Sequence, residues 1–437
     1  MPDASLHPDW VPRPLWWDEV PREPANGTLP ARTDVAIVGS GYAALSAARI
    51  LAQAGLRVAV LDAREPGDGA STRNHGMAGG GLKLPAALDR MVGAERATRI
   101  RQEGRQSFDE FRTMLRDDAI AADYIDCGRL SGAHSPAAYA ALQQRCADLQ
   151  RNFGYTARLL PREQQRSEIG SDFYHGVLVL EQSGSLQPAK LHRALWRLAE
   201  ACGTTVVGNA EVRAIDRRQA DFLLHTAKGE LCAEKVFVAT NAYTGAINPH
   251  LMPYVRRRVV PVTAYMAATE KLPPDLAQHL LPNARVGGDT KRSLYAFRLS
   301  PDGGRMVFAG RAKFRDIGER EAAPILHRFM SGVWPELRGY RVTHCWKGLV
   351  CFTFDRLPHM GEIDGLYYAA GCQGNGVVMM SWLGRQVARK ILSGAREQCG
   401  LDGLPFPARA GYYGKPWFLP AVGGYYKMRD AVDRLLA

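Results

Sequence analysis

The glycine-rich run Gly39-Ser40-Gly41-Tyr42-Ala43-Ala44 has the spacing of a dinucleotide-binding turn. The first glycine permits a tight turn, the second lets the backbone approach a pyrophosphate, and a small third residue lets a helix pack on a sheet. Asp62 stands 21 residues after Gly41, about where an acid can accept the hydroxyls of an adenosine ribose. The pattern predicts a bound dinucleotide, and the acid disfavours the 2′-phosphate of NADP.

The elements around this turn must form a parallel sheet. Residues 35–38 and 58–61 are short apolar runs typical of buried strands, and the small residues at 43–54 between them predict a helix. Such a β-α-β unit implies parallel strands. Another strand at 366–370 enters a second glycine-rich turn, and residues 377–392 after it predict a long helix.

Composition narrows the class of protein. A chain of 437 residues is expected to hold two or three domains. Its net charge of +12 would attract an anionic partner, but the basic residues are scattered and form no nucleic-acid arm. The eight cysteines lack the paired spacing of a zinc site or a disulfide framework, and lone histidines such as His134, His192 and His279 fit surface or helix positions better than metal ligands.

No signal peptide and no apolar run of membrane-spanning length is evident, so we predict a cytoplasmic protein. The lack of metal-ligand spacing among the cysteines and histidines predicts that no metal is bound. The first 30 residues are rich in proline and tryptophan, which predicts an extended arm with neither helix nor strand.

Two further polar segments carry a family resemblance. Residues 69–76 (Gly-Ala-Ser-Thr-Arg-Asn-His-Gly) follow the acid, and residues 371–376 (Gly-Cys-Gln-Gly-Asn-Gly) precede the last long helix. With the first turn and Asp62, they resemble the D-amino-acid-oxidase-like flavoenzymes, which include glycine and sarcosine oxidases. Within that superfamily the chain looks most like the gamma-glutamylputrescine oxidoreductase branch. Further marks of the branch follow in order at 184–188, 239–243, 346–348 and 356–361.

The resemblance implies a mixed α/β fold (α+β), in which a Rossmann-like FAD-binding domain is joined to a discontinuous β-sheet substrate domain. After the arm at 1–30, the FAD-binding domain is expected at 31–90, 184–245 and 346–397. The substrate domain is expected at 91–183 and 246–345, and a C-terminal extension at 398–437.

The resemblance also implies which residues hold FAD in an extended form. The segment at 71–76 would pass the pyrophosphate and the isoalloxazine, Val212 would present backbone to the adenine, and the helix beginning at Val377 would stabilise negative charge on the reduced flavin. The expected FAD-binding residues are Gly39, Ser40, Gly41, Tyr42, Ala43, Ala44, Asp62, Ala63, Ala70, Ser71, Thr72, Asn74, His75, Gly76, Val212, Asn241, Ala242, Gly371, Gly374, Asn375, Gly376 and Val377.

Departures from the family pattern bear on the chemistry. Many relatives have a histidine where Asn375 stands, and a basic residue that binds carboxylate where Val378 stands, so a simple sarcosine or glycine substrate is not expected. Gly348 falls at the cysteine position of relatives with covalent flavin, and Cys351 is displaced from it, so we expect non-covalent FAD. A lysine that promotes reaction with oxygen in some relatives aligns with Phe308.

Candidate catalytic residues come from the segments expected to surround the flavin. They are His75, Tyr265, Tyr295, Arg298 and Asn375. For the two tyrosines, core packing with a satisfied hydroxyl is an equal alternative. Tyr295 and Arg298 are three residues apart on an expected strand, which would place them on opposite faces.

These features predict an oxidoreductase that takes a hydride from the carbon next to an amine nitrogen, giving an imine that water hydrolyses. The expected partners are a small amine or N-substituted amino acid and an electron acceptor, either oxygen or another molecule. Two alternatives remain open: a flavin-dependent RNA-modifying enzyme, and a flavin-binding protein without turnover.

Overall fold

Two mixed β-sheets, a small two-stranded sheet and the helices that cover them form the protein, as seen in a computed structural model that describes residues 4–79, 84–245 and 248–435. The strands are β1 (Leu6–Val11), β2 (Arg32–Val38), β3 (Val58–Leu61), β4 (Met77–Gly79), β5 (Arg129–Gly132), β6 (Ala157–Leu160), β7 (Val177–Leu180), β8 (Ser183–Ser185), β9 (Thr205–Val207), β10 (Val212–Arg217), β11 (Phe222–Thr226), β12 (Gly229–Val238), β13 (Val259–Thr269), β14 (Val286–Asp289), β15 (Ala296–Leu299), β16 (Met306–Gly310), β17 (Val342–Thr353), β18 (His359–Ile363) and β19 (Leu366–Ala370). The helices are α1 (Trp16–Glu19), α2 (Tyr42–Gln53), α3 (Leu88–Val92), α4 (Ala94–Asp117), α5 (Pro136–Phe153), α6 (Pro188–Ala201), α7 (Pro253–Arg256), α8 (Pro274–Leu280), α9 (Glu319–Val333), α10 (Gly376–Ser393) and α11 (Leu419–Leu435).

The first sheet contains a parallel core in the order β19-β12-β2-β3-β9, to which β10, β11 and β18 add antiparallel pairs. All four residues of β3 are buried, and so are the last four of β2. Continuous apolar strands of this kind are expected where helices cover both faces of a parallel sheet. The predicted α/β class and Rossmann-type sheet are confirmed.

The second sheet has nine strands in the order β1-β17-β13-β16-β15-β14-β5-β7-β6. The long strands β13 and β17 pair antiparallel over most of their length. Helix α9 covers one face, where an apolar core includes Phe297, Phe308 and Trp334. The opposite face carries Met266, Val307 and Trp346, which pack against the N-terminal arm.

The chain passes repeatedly between the two sheets, as a discontinuous arrangement requires. Strand β17 belongs to the nine-stranded sheet throughout, so the predicted boundary at residue 346 falls inside a strand rather than between domains. The region at 88–149, which we predicted as mainly helical, contains α3, α4 and most of α5 but also strand β5. The domain limits themselves stay a prediction.

The N-terminal arm contains regular structure that the prolines led us not to expect. Strand β1 pairs in parallel with β17 at the edge of the nine-stranded sheet, and α1 follows it. An edge strand tolerates Pro8 because a strand at the edge pairs on one side only. The expectation of an arm lacking helix and strand was therefore wrong. Among the helices described, none is long and apolar enough to cross a membrane.

Helices α2 and α10 cross in close contact over the parallel sheet. A Cβ added at Gly384 of α10 would lie 2.0 Å from the Ala43 carbonyl oxygen of α2, so only glycine fits this crossing. The buried residues of α2 near this crossing include Ala43, Ala44 and Ala47, whose short side chains permit the approach. Because α2 carries the first glycine-rich turn at its start, this crossing fixes the position of the turn.

Replacing Gly384 with alanine should lower the free energy of unfolding by about 1–3 kcal/mol, because the new methyl group forces the two helices apart. The matched control is Gly332→Ala in α9, where an added Cβ meets nothing within 4 Å. That variant should be neutral or stabilised by up to about 1 kcal/mol, since alanine favours the helix. Urea denaturation of both variants measures the difference, and equal stability of the two would contradict the proposed crossing.

Candidate cofactor cleft and active site

The turn between β2 and α2 brings backbone to the edge of a cleft. Gly39 has a φ of +95°, which side-chain-bearing residues rarely adopt, and its N–H donates to the Leu61 carbonyl at 2.7 Å. A Cβ at Gly41 would lie 3.1 Å from Ser71 Oγ, which accepts a bond from the Tyr42 N–H at the start of α2. The positive end of the helix dipole therefore points to the place where a pyrophosphate is expected.

Asp62 lies at the end of β3 and organises this turn. One carboxylate oxygen accepts bonds from the Ser40 N–H at 2.9 Å and the Ser40 hydroxyl at 2.5 Å, and the other accepts from the Arg64 N–H at 3.0 Å. Burial raises the pKa of Asp62, and these hydrogen bonds oppose that effect. The acid borders the cleft, as a ribose partner must, and its contact with the ribose stays a prediction.

A cleft opens at this turn. Twelve of the residues predicted to bind FAD line it: Gly39, Ser40, Gly41, Tyr42, Ala43, Asp62, Ala63, Ala70, Ser71, Val212, Asn241 and Ala242. The Val212 carbonyl accepts a bond from Asn248 Nδ2 at 3.2 Å, so Asn248 holds the backbone at the expected adenine position. Ala44 does not line the cleft, because it is fully buried in the core beneath it.

His192 is a cleft residue that sequence analysis missed. It lies on the buried face of α6, and its Nε2 donates to the Ser40 carbonyl at 2.8 Å. Burial lowers the pKa of His192 to about 4, so the ring is neutral at physiological pH. A single histidine on an amphipathic helix carries no local motif, and only its position among the apolar residues of α6 could have indicated burial. Other lining residues not predicted include Arg64, Gly67, Glu211, Tyr243 and Leu349.

The polar segment at 72–76 begins at the last residue of the short 3-10 helix Ala70–Thr72 and runs to the start of β4, and three tryptophans donate hydrogen bonds to it. Trp16 Nε1 donates to the Asn74 carbonyl at 2.9 Å, Trp346 Nε1 donates to the Arg73 carbonyl at 3.0 Å, and Trp17 Nε1 donates to Thr72 Oγ1 at 3.1 Å. Two of these tryptophans come from the N-terminal arm and one from β17. Both sheets and the arm therefore meet at this segment.

Within the segment, Asn74 and Gly76 fix the path of the chain. Asn74 Oδ1 accepts a bond from the Gly76 N–H at 2.8 Å, and Nδ2 donates to the Ser71 carbonyl at 2.9 Å. Gly76 has a φ of +74°, and a Cβ there would lie 2.1 Å from the Leu186 carbonyl oxygen. The chain can pass at this point only with glycine.

Arg298 contacts this segment at His75. The buried guanidinium of Arg298 donates to the carbonyls of Leu186 at 2.8 Å, Leu299 at 2.8 Å and His75 at 3.3 Å. Burial, followed by the nearby Arg298 charge, lowers the pKa of His75 to about 3, although the nearby Val307 backbone favours the charged ring. Arg298 thus ties strand β15 to the segment, and His75 is neutral at physiological pH.

The two candidate tyrosines and Phe308 face the other side of the nine-stranded sheet. Tyr265 donates to Asp316 at 3.0 Å and accepts from the Ile317 N–H at 2.7 Å. Tyr295 stacks on Phe329 of α9 with ring centroids 5.1 Å apart, and its ring centroid is also 5.1 Å from that of Phe308. The structure thus shows core packing for both tyrosines. A flavin-facing position for Phe308 was wrong, because its ring is fully buried against α9.

The second glycine-rich turn, at 371–376, approaches the same region from β19. The Gly371 N–H donates to Asn241 Oδ1 at 3.0 Å, which ties this turn to the cleft wall. Asn375 Nδ2 donates to the Gly79 carbonyl at 3.4 Å, and Asn375 is the N-cap of α10. Gly374 has a φ of +82°, Gly376 begins α10, and Val377 and Val378 behind it are buried. The stretch at 80–83, which includes part of the glycine-rich run after Met77, lies outside the described residues.

Gly348 and Cys351 occupy different environments on β17. A Cβ at Gly348 would lie 3.4 Å from Arg73 Cβ, so this position faces the 72–76 segment. Cys351 is fully buried and burial raises the pKa of its thiol. All eight cysteines are free thiols.

The arrangement fits an extended dinucleotide. A glycine turn that a Cβ would obstruct, a helix N-terminus and a carboxylate surround the cleft, and the segments at 72–76 and 371–376 extend it toward the nine-stranded sheet. These features define a Rossmann-type dinucleotide-binding oxidoreductase.

The chain belongs to the FAD dependent oxidoreductase family, DAO, whose profile matches residues 34–390. It is similar to the gamma-glutamylputrescine oxidoreductase of Escherichia coli (29% identity over 409 residues, 91% of this chain and 92% of the relative) and to the probable oxidoreductase OrdL of Rhizobium meliloti (28% over 402 residues, 91% and 92%). Among solved structures it resembles glycine oxidase from Geobacillus kaustophilus, with a TM-score of 0.71 at 20% identity over 87% of this chain and 100% of the other. The predicted family and its FAD cofactor are confirmed.

His192 should make the stability of the protein depend on pH. Below about pH 6.5 the ring takes up a proton in the unfolded chain but not in the folded protein, whose ring titrates near 4. The stability contributed by the neutral ring is therefore complete above pH 6.5 and is lost as pH falls, by about 2 kcal/mol between pH 7 and pH 5. Urea unfolding of flavin-free His192→Gln should show a pH dependence shallower by that amount.

The control for this prediction is His279→Gln, because His279 lies on α8 with an exposed side chain. Its pH dependence should match that of the unaltered protein. Equal slopes for the two variants would mean that His192 does not remain neutral in the folded protein.

We expect acid precipitation to release all of the flavin into the supernatant. Gly348 has no side chain to form a link, and the thiol of Cys351 is buried and protonated. The variant Cys351→Ala should release flavin to the same extent. Flavin fluorescence that stays with the denatured polypeptide, and is absent from Cys351→Ala, would show a covalent link.

Proposed function

We propose that this oxidoreductase oxidises the carbon–nitrogen bond of a small amine or an N-substituted amino acid. FAD, when bound, supplies the chemistry by accepting a hydride from the carbon next to nitrogen, which leaves an imine that water hydrolyses to a carbonyl compound and an amine. The relatives support this substrate class, since they are named gamma-glutamylputrescine oxidoreductase and glycine oxidase.

One observation carries the proposal most directly. Asn375, at the start of α10, bonds the carbonyl of Gly79 at 3.4 Å, although the two residues are far apart in the chain. The turn at 371–376 therefore converges with strand β4, which directly continues the segment at 71–76 that is also expected to border the flavin. This convergence supports a reaction centre between the α10 N-terminus and the nine-stranded sheet.

The residues around this convergence favour orientation and exclusion of water over acid–base catalysis. Trp16 and Trp346 pack edge to face with ring centroids 5.9 Å apart, and they cover the segment from the sheet side. His75 is neutral, and its pKa of about 3 makes it a poor base at physiological pH. An amine that binds in its neutral form needs no strong base, and the protein then contributes mainly position and an apolar surrounding.

The absence of charge at Val378 argues against a simple amino acid carboxylate held by α10. Val378 is fully buried in the apolar core behind the turn. A cation for a substrate carboxylate would have to come from elsewhere, and the buried Arg298 already donates to three backbone carbonyls. Within the proposed substrate class we therefore favour an amine whose reacting carbon carries no carboxylate over glycine or another simple amino acid.

Anaerobic mixing of the yellow holoenzyme with a panel of amines and N-substituted amino acids tests this function. Bleaching of the flavin by at least one amine, slowed when the reacting carbon carries deuterium, is the expected result. Asn375→Ala should slow bleaching about tenfold or more, because the amide ties the start of α10 to the Gly79 carbonyl and so positions the two segments around the substrate. Asn283→Ala, an asparagine in a distant exposed loop, should leave the rate unchanged.

Flavin that no amine bleaches would overturn the proposal and would favour a flavin-binding protein without turnover. The second half-reaction identifies the acceptor. We expect a phenazine to reoxidise the flavin faster than air does, because the uncharged amide of Asn375 stands where many relatives carry a histidine. Reoxidation in air as fast as reduction would instead indicate that the Arg298 cation promotes the reaction with oxygen.

A further inference from the structure

The outer face of the C-terminal helix α11 is apolar. Ala421, Tyr425, Met428 and Val432 recur at spacings of four, three and four residues, which places them on one side of a helix. The exposed fractions are 53% for Tyr425, 55% for Met428 and 39% for Val432. A helix at the surface of a protein ordinarily turns such a stripe inward.

The acids of α11 point inward and fix this orientation. Asp430 is buried and accepts bonds from the Arg292 and Ser293 backbone N–H groups, each at 3.1 Å. Asp433 pairs with the Arg292 guanidinium at 2.6 Å. His134 also lies within reach of both acids, and Arg292 pairs with each of them, so this cluster attaches the helix to the body of the protein.

Two exposed aromatic side chains extend the apolar stripe. Trp417, just before α11, is 69% exposed, and Tyr413 is 58% exposed beneath the Arg257 guanidinium at 5.0 Å. Five of the nine large apolar side chains that are exposed in the described parts of the chain fall between residues 413 and 432. We call the outer face of α11 with Trp417 and Tyr413 the C-terminal surface.

The charge around the C-terminal surface has one sign. Residues 403–429 contain two arginines and two lysines and no aspartate or glutamate. Lys427 and Arg429 flank the apolar stripe on α11, Lys415 lies between the two aromatic residues, and all three are exposed. Exposed aromatic and aliphatic groups with a basic border are the chemistry of a helix that lies in an anionic lipid interface.

We propose that the C-terminal surface docks on the face of a bilayer that contains anionic lipid. The apolar stripe and Trp417 would enter the headgroup region while Lys427 and Arg429 contact lipid phosphates. A second copy of this chain fits less well, because two like-charged surfaces would face each other. A nucleic acid would stack on the aromatic rings but would leave Met428 and Val432 without an apolar partner.

Co-sedimentation of the full-length holoenzyme with vesicles tests this docking. Vesicles of phosphatidylcholine with about one third phosphatidylglycerol should bind the protein about tenfold more strongly than vesicles of phosphatidylcholine alone. Raising the salt to about 1 M should remove most of the difference, since the Debye length falls to about 3 Å. The double variants Trp417→Ser/Met428→Ser and Lys427→Glu/Arg429→Glu should each reduce binding about tenfold or more.

Matched controls lie on other surfaces of the protein. Met91→Ser removes a side chain that is 41% exposed, and Lys228→Glu reverses a charge in the exposed turn between β11 and β12. Both should bind vesicles normally. Flavin content and thermal unfolding show that each variant is folded. The docking variants should bleach at the normal rate when an amine is added in solution, so failure of docking and failure of the proposed function are distinguishable.

Three results would overturn the proposal. The first is equal binding to both kinds of vesicle, or none to either. The second is a dimer in sedimentation velocity that Trp417→Ser/Met428→Ser dissociates, which would assign the surface to a second copy. The third is a single-stranded RNA complex that the same variant loses while vesicle binding persists.

Discussion

The structure depends on how the segment at residues 72–76, which is irregular after Thr72, satisfies its buried polar groups. Buried carbonyls need donors, and here the donors come from distant parts of the chain: Trp16 from the arm, Trp346 from β17 and Arg298 from β15. Each of these donors is itself fixed by packing on the inner face of the nine-stranded sheet. The same bonds that satisfy the segment therefore set the position of the two sheets around the cofactor cleft.

Much of the parallel sheet could be predicted because its information is local. The apolar runs of β2 and β3 and the small residues of α2 are each sufficient to indicate a buried strand or a tightly packed helix. The strand order of the nine-stranded sheet could not be predicted in this way, since several of its paired strands are far apart in the chain. Strand β1 shows the limit most clearly: its proline argues against a strand, and only the partner β17 at the sheet edge makes one possible.

The candidate site shows the same difference between residues that local sequence predicts and residues that only long-range contacts place. The first turn and Asp62 follow from spacing, because a pyrophosphate imposes the same backbone geometry wherever it binds. The faces of Tyr265 and Phe308 depend on strand register, which the sequence does not contain, and the structure turns both toward α9. His192 was missed for a related reason. Its role comes from its hydrogen bond to the Ser40 carbonyl, and no residue of α6 indicates that partner.

The pairing of β1 with β17 also constrains the order in which the parts of the chain can fold. Strand β1 leaves the ribosome long before β17 and has to wait for it, because Leu6 pairs with Val342. During synthesis the tryptophans of the arm have only part of their binding site, and the loop they close spans most of the protein. The parallel sheet can form earlier from more local contacts, so we infer that the cofactor segment is locked in place among the last steps of folding.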